Sequence, residues 1–366
     1  MALFNLPPNQ ETDVAYINDL IEWTAGHDSK DEDADGDYGE YREHMGDPMH
    51  SQPLALTYGT TSGTKSIIYI GTNEGYLHAV DNLTGLEQFA FVPPDLLPNM
   101  RKFFDNESQA RRIYGLDGSI STWIDDTNGN GVIDGNETAL LYVGMRRGGS
   151  NYYVLDISDY ENPTLAYVIR GGTNTVDSDP QTADGDYLEL SQTWSRVVKT
   201  KIRDGGTIKD VIMFSGGYDP NQDPGDTSDT ADETNTEFGA DGSRSIDGVG
   251  RAIFIADAAT GELIWKTSLA DPDFSQMQYS IPSDLRVIDI NSDGLADQIY
   301  FGDMGGQVWR MDIDNRQDTS DSLSTRLSAG VIAELGDDSP QNSISCLLYT
   351  SPSPRDATLS RMPSSA

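Results

Sequence analysis

The sequence predicts an all-β protein, an irregular β-propeller with a short N-terminal helix. Three observations carry this expectation. From about residue 50 the chain is a succession of short hydrophobic segments bounded by Gly, Asn and Asp, the punctuation of strands and turns. These segments fall into four successive sets of similar layout. Two turns in different sets are closely alike, "VDNLTGLEQF" from Val80 and "ADAATGELIW" from Ala256. Sheets recurring in this way mark propeller blades. A β-sandwich or a two-domain β protein is the competing architecture.

The helix comes first. In "ETDVAYINDLIEWTAGHD", Val14, Ile17, Leu20 and Ile21 recur at three- and four-residue spacing. Thr12 or Asp13 can cap its start, and Gly26 can end it. The dense acidic stretch "HDSKDEDADGDYGEYREHMGD" that follows reads as a loop. The first set of strands is "SIIYIGT", "GYLHAVDNLTG" and "LEQFAFV"; the second is "ALLYVGM", "NYYVLDISD" and "TLAYVIR". The third is "VIMFSGG", "GRAIFIADAATG" and "ELIWKTS"; the fourth is "DLRVIDINSDG", "DQIYFGDMGG" and "QVWRMDIDN". In the D-x-x-T-G turns, Asp and Thr can bond back to local backbone while Gly takes the positive φ. Phe89 and Trp265, just beyond these turns, are expected to pack between neighbouring sheets. "SDPQTADGDY" and "DPNQDPGDTSDTADETNTEFGADGSRS" read as insertions too polar to form core.

The chain has 366 residues, 36% of them apolar and 9% aromatic, so it can bury a core. Its formal net charge of −36 repels nucleic-acid phosphate and anionic lipid, which argues against a nucleic-acid partner, and attracts divalent cations. No run approaches the roughly 18 apolar residues of a membrane span, and no export signal opens the chain. A charge of this size also suits a solvated, salt-adapted surface, so the case for a metal must rest on spacing.

Two stretches have that spacing. "DINSDGLAD" places Asp289, Asn291 and Asp293 at alternate positions, Gly294 at the turn, the Leu295 carbonyl next and Asp297 at the ninth position. Calcium takes six to eight oxygen ligands in flexible geometry, and this run can supply them. The twelfth position is Tyr300 rather than an acid, so the expected affinity is modest, roughly 10⁻⁴ to 10⁻³ M. "DTNGNGVIDGNE" fills every position of the EF-hand loop with Asp126, Asn128, Asn130, the Val132 carbonyl, Asp134 and Glu137, with Gly131 at the sixth. The strands "ISTWI" and "ALLYVGM" flank it, so it is such a loop without the helix pair. An Asx-rich turn without metal is the plain alternative for both. "DEDADGD" from Asp31 to Asp37 can gather cations but completes no pattern, and a solvated loop is the preferred reading there.

Catalytic signatures are missing. His44 and His50 lie near Asp47 without a metal-binding motif, and there is no G-x-S-x-G elbow. Arg146 and Arg147 in "GMRRGG" can hold an anion but are expected to pair with carboxylates. The one cysteine, Cys346, opens "CLLYTSPSPRDATLSRMPSSA", which resembles translated sequencing-adapter sequence and is set aside as an artefactual tail.

Several stretches, in this order, carry a resemblance: "MGDPMHSQPLAL", "IIYIGTNEGYLHAVDNLTGLEQFAFVPPDLLPN", "GLDGSISTWI", "LLYVGMRRGGSNYYVLDISD", "VIMFSGGYDPNQD" and "YSIPSDLRVIDINSDGLADQIYFGDMGGQVWRMDI". Over residues 4–316 the chain resembles the C-terminal propeller of the PilY/PilC family of type IV pilus biogenesis and tip proteins. The resemblance implies a quinoprotein-like propeller, a bacterial extracytoplasmic or pilus-associated cell-surface location, and no catalysis. It also implies roles in pilus assembly, retraction control and adhesion, with minor pilins and host or surface ligands as partners. The family's Asp-rich calcium loop maps onto Asp289, Asn291, Asp293, Leu295 and Asp297, whereas calcium at Asp126 rests on spacing alone. The expected organisation is a helix and acidic loop over residues 1–45, a propeller over 46–345 that lacks its closing blade, and the tail over 346–366. Large regions that family members carry before the propeller are expected to be missing. Two other functions stay open: a quinoprotein dehydrogenase, for which the D-x-x-T-G turns speak and the lack of adjacent cysteines speaks against, and a generic calcium-stabilised propeller that binds carbohydrate or protein.

Overall fold

The computed structural model describes residues 4–8, 10–11, 13–107, 112–172, 186–222, 246–316 and 322–335. Among them are sixteen strands in four four-stranded sheets, each with its strands in chain order, and two α-helices. The architecture is all-β and propeller-like, as the recurring sets predict. The chain divides into two compact units, Met1–Gly149 with Tyr153–Ala166, and Ser150–Tyr152 with Tyr167–Ala366.

The first sheet is β1 (Leu54–Thr60), β2 (Gly63–Gly71), β3 (Leu77–Asp81) and β4 (Glu87–Phe91). The second is β5 (Ile120–Ile124), β6 (Ala139–Gly144), β7 (Asn151–Asp156) and β8 (Thr164–Arg170). The third is β9 (Val198–Asp204), β10 (Thr207–Ser215), β11 (Ile253–Asp257) and β12 (Leu263–Lys266). The fourth is β13 (Arg286–Ile288), β14 (Gln298–Gly302), β15 (Gln307–Ile313) and β16 (Leu327–Glu334). The hydrophobic segments of the sequence are mostly the inner strands, such as β6, which is buried at every position. The expected sets omitted β1, β9 and β16, which mix buried, partly buried and exposed positions and lack a continuous apolar run.

In the second unit one core joins the third and fourth sheets. Ile202, Met213 and Ile255 meet Ile299, Trp309 and Met311 there, and Trp265 packs against this cluster as expected. Phe89, by contrast, lies against Tyr69 of its own sheet at 6.2 Å between ring centroids. The polar insertions need one correction. Tyr187, at the end of "SDPQTADGDY", is core: its hydroxyl donates to the Gly261 carbonyl at 2.7 Å and its ring packs on Phe254. Asp219 is also buried, and its carboxylate accepts from the N–H groups of Asn221, Gly248 and Val249. Most of both insertions, and Cys346 with the rest of the tail, lie outside the described residues.

Helix α1 spans Val14–Thr24, and Asp13 caps it by accepting the Tyr16 N–H at 3.1 Å. Thr12 lies outside the described residues. The buried face is Ile17, Leu20 and Trp23, whereas Val14 and Ile21 are exposed. Spacing alone could not say where the stripe would be centred. What centres it is α2 (Leu97–Phe104), whose Met100 and Phe104 pack against α1. The sequence reading missed α2, although its Pro in the first turn and its apolar Leu97, Met100 and Phe104 are a helix signal.

Candidate metal centre

The two predicted calcium loops occupy the same place in their sheets. The 126–137 loop joins β5 to β6 and the 289–297 loop joins β13 to β14, in each case the first strand to the second. Their internal hydrogen bonds also correspond. Asp289 accepts the N–H groups of Ser292, Asp293 and Gly294, at 2.7, 3.3 and 2.8 Å. Asp126 accepts those of Gly129, Asn130 and Gly131, at 2.7, 3.2 and 2.9 Å. The third-position side chain then accepts from the fifth-position N–H (Asn291 from Asp293, Asn128 from Asn130). The fifth accepts from the seventh (Asp293 from Leu295, Asn130 from Val132). The oxygen-bearing residues thus wrap a tight turn of backbone. Gly131 and Gly294 have φ of +72° and +85°, the left-handed conformation that favours glycine.

The loops close differently. In the longer one, buried Glu137 accepts the N–H of Thr127 on Oε1 and that of Asp134 on Oε2. In the shorter one, Asp297 Oδ2 accepts the N–H of Ile290 at 2.9 Å. Asp297 at the ninth position therefore does what Glu137 does at the twelfth.

Both loops are also held at their eighth residue, which the sequence reading did not single out. Ile133 N–H donates to the Thr57 carbonyl of β1 at 2.9 Å, and Ala296 N–H donates to the Lys201 carbonyl of β9 at 2.8 Å. Each loop thereby hangs on the first strand of the preceding sheet. The signal is a buried apolar residue in each loop's second half, Ile133 in one and Ala296, beside buried Leu295, in the other.

The donor sets fit a hard cation, since every candidate ligand atom is oxygen. Among the described residues no lysine, arginine or histidine forms an ion pair with Asp289, Asp293, Asp297, Asp126, Asp134 or Glu137. Neither loop, however, gathers three carboxylates within 4.8 Å of one another. The clusters that do so are Asp28/Asp33/Glu40 and Asp31/Asp33/Asp35, in the acidic loop after α1.

The D-x-x-T-G turns behave as their chemistry predicts. Asp81 accepts from Leu83 and Thr84 N–H, and Asp257 from Ala259 and Thr260 N–H. In each, the glycine is at φ of +73° or +74°. These backbone bonds, chiefly that from Leu83, hold the Asp81 carboxyl below its ordinary range.

Each of the four histidines lies within 4 Å of a carboxylate, Arg146 pairs with Asp117 as expected, and Arg147 sits over the Tyr114 ring at 5.8 Å. His50 Nδ1 is 2.6 Å from Oδ2 of fully buried Asp117, and Arg146 Nη1 is 3.5 Å from the same oxygen. Burial pushes the Asp117 carboxyl up, but the His50 hydrogen bond and charge, with Arg146, pull it below its usual value on balance. His44 lies against Glu32 rather than beside His50 in a metal site.

The family model for the PilY1 beta-propeller domain matches residues 36–343. The chain belongs to this family. A type IV pilus biogenesis factor PilY1 of Pseudomonas aeruginosa (strain UCBPP-PA14) is 24% identical over 288 residues, 77% of this chain and 20% of that protein. A PilY1 homolog of Xylella fastidiosa (strain Temecula1) is 26% identical over 256 residues, 68% of this chain and 14% of that protein. The chain thus spans a fifth or less of the length of these relatives. Among solved structures, the P. aeruginosa PilY1 C-terminal domain is similar at a TM-score of 0.42 and 24% identity, covering 76% of this chain and 43% of that one. A quinohemoprotein alcohol dehydrogenase from Pseudomonas putida is similar at 0.37 and 17%, covering 73% and 33%.

Proposed function

We propose that this chain is the propeller portion of a non-catalytic, type IV pilus-associated surface protein that binds calcium and supports pilus assembly, retraction control and adhesion. Family membership and the names of the relatives, type IV pilus biogenesis factors, support the pilus association. The single observation that carries the calcium reading is the Asp289 loop, with an all-oxygen donor set and carboxylates that no cationic side chain neutralises. Asp289, Asn291, Asp293, the Leu295 carbonyl and Asp297 hold the ion in this reading. Asp126, Asn128, Asn130, the Val132 carbonyl, Asp134 and Glu137 hold a second. Bound calcium supplies neutralising charge to acids crowded in a short turn.

The chain's own contribution is shape. Asp289 pre-forms the turn through three backbone N–H groups, and Ala296 ties it to β9. The Asp297 carbonyl accepts the Ile313 N–H just beyond the turn, at the end of β15. A change in the stiffness of the loop therefore reaches two sheets of the second unit. The surface so fixed engages a minor pilin or a host or surface ligand outside the cytoplasm. The test is capture of purified minor pilins by the immobilised chain with calcium, with chelator, and after Asp293→Ala. Calcium-dependent capture that the substitution abolishes is expected. Equal capture in all three overturns the calcium coupling. Failure to capture with calcium present, together with binding on a glycan array, overturns the pilus reading in favour of a carbohydrate-binding propeller.

A further inference from the structure

The loop between α1 and the first sheet encloses a carboxylate, that of Asp28. Asp28 is only 4% exposed. Its Oδ2 accepts the Glu32 N–H at 2.8 Å, but its Oδ1 is buried without a hydrogen-bond partner. A buried carboxylate oxygen left unpaired is costly and calls for a ligand. A carboxylate oxygen of Asp28 lies within 4.8 Å of those of Asp33 and Glu40, and Asp33 is in turn within that distance of Asp31 and Asp35. Among the described residues no lysine, arginine or histidine pairs with any of these five. Lys30, the nearest in sequence, donates instead to the Phe104 carbonyl and sits over its ring at 3.9 Å.

The backbone here is that of the two loops already described. Gly36 N–H donates to Asp31, Asp35 N–H to Asp33 and Asp37 N–H to Asp35, at 3.0, 3.2 and 2.7 Å. Ala34 and Gly36 take φ of +61° and +89°, as Ser292 and Gly294 take +61° and +85°. The neck is pinned by Asp28 N–H to the Glu40 carbonyl at 2.8 Å, by Arg42 N–H to the Gly26 carbonyl at 2.9 Å, and by His27 stacked on Tyr41. Arg42, where the twelfth ligand of the loop pattern would stand, is turned onto the Trp23 ring at 3.8 Å. Asp28 and Glu40 supply carboxylates from the neck in its place.

We infer that residues 28–40 form a third cation site, of calcium type, in which buried Asp28 and partly buried Glu40 close an Asp31–Asp33–Asp35 turn. Carboxylate-only ligation selects a hard divalent ion over zinc or copper, which favour nitrogen and sulfur. The bound ion staples the exit of α1 to the start of the propeller and is independent of the Asp289 loop.

The test is calorimetric titration of the full 366-residue chain with calcium chloride in about 0.15 M salt, where diffuse attraction is screened. Asp33→Asn changes an exposed residue common to both clusters. It is expected to remove one site from the stoichiometry or to weaken it at least about tenfold, and Asp28→Asn to do the same. Asp293→Ala should leave this site intact, so loss of one assignment does not carry the other with it. If Asp28→Asn does not fold, Asp33→Asn decides. Wild-type stoichiometry and affinity in a folded Asp33→Asn variant overturn the site, as does calcium binding at this loop that sodium displaces at equal ionic strength.

Discussion

The N–H of Ala296 donates to the carbonyl of Lys201 at 2.8 Å, so the middle of the Asp289 loop is bonded to the first strand of the preceding sheet. Ile133 and Thr57 repeat the relationship at 2.9 Å in the first unit. In paired EF-hand loops the partner at this position is the other loop; here it is a sheet edge. The strand supplies the partner that a helix pair would otherwise position, which is why a calcium-type loop can stand alone between two strands.

If calcium occupies the Asp289 loop, it stabilises the folded chain by mass action, about 2.7 kcal/mol at one hundred times the dissociation constant. Calcium is therefore expected to raise the melting temperature measured by scanning calorimetry. Asp293→Ala should reduce that rise by the share of this one loop, with little effect on the melting temperature in chelator. An undiminished rise in the variant counts against Asp293 as a ligand.

The Asp257 turn should be structural and independent of metal. Its carboxylate accepts two backbone N–H groups at 2.9 and 3.0 Å. Asp257→Ala is expected to cost about 1 to 2 kcal/mol, as loss of a comparable cap does. Urea unfolding checks this, and the loss should be the same with and without calcium.

Asp117 predicts an acid limb. Its folded carboxyl value is depressed, so its stabilising contribution is complete above the unfolded carboxylate value of about 3.9 and is lost as pH falls through the lower folded value. The melting-temperature gap between the wild type and Asp117→Asn should narrow as pH falls from about 5 toward about 2. A gap that widens on acidification contradicts the His50 and Arg146 assignment.

The buried hydroxyls of Tyr58 and Tyr69 are 2.7 Å apart. Burial pushes the Tyr69 hydroxyl up to about 12, so both stay protonated across the physiological range. Tyr69→Phe leaves the Tyr58 hydroxyl without this partner and is expected to cost about 1 to 3 kcal/mol. The double change Tyr58→Phe/Tyr69→Phe should cost less than the sum of the single ones, which a double-mutant cycle in urea measures.

Local chemistry made much of this protein legible in its sequence. The inner strands announce themselves because each carries a run of apolar residues, buried at every position in β6, and Asp81 and Asp257 because an Asp-x-x-Thr-Gly turn satisfies itself within five residues. The Asp126 and Asp289 loops are readable for the same reason: their hydrogen bonds run within one loop, so spacing encodes them. Tertiary structure decided what depends on a distant partner. It chose Ile17, Leu20 and Trp23 as the buried face of α1, because α2 packs there. It drew Tyr187 into the core against Phe254, and it set Ile133 and Ala296 on the strands of neighbouring sheets. It also enclosed Asp28 beside Asp33 and Glu40. Burial depends on which surfaces meet, and neither residue type nor spacing along the chain specifies that meeting.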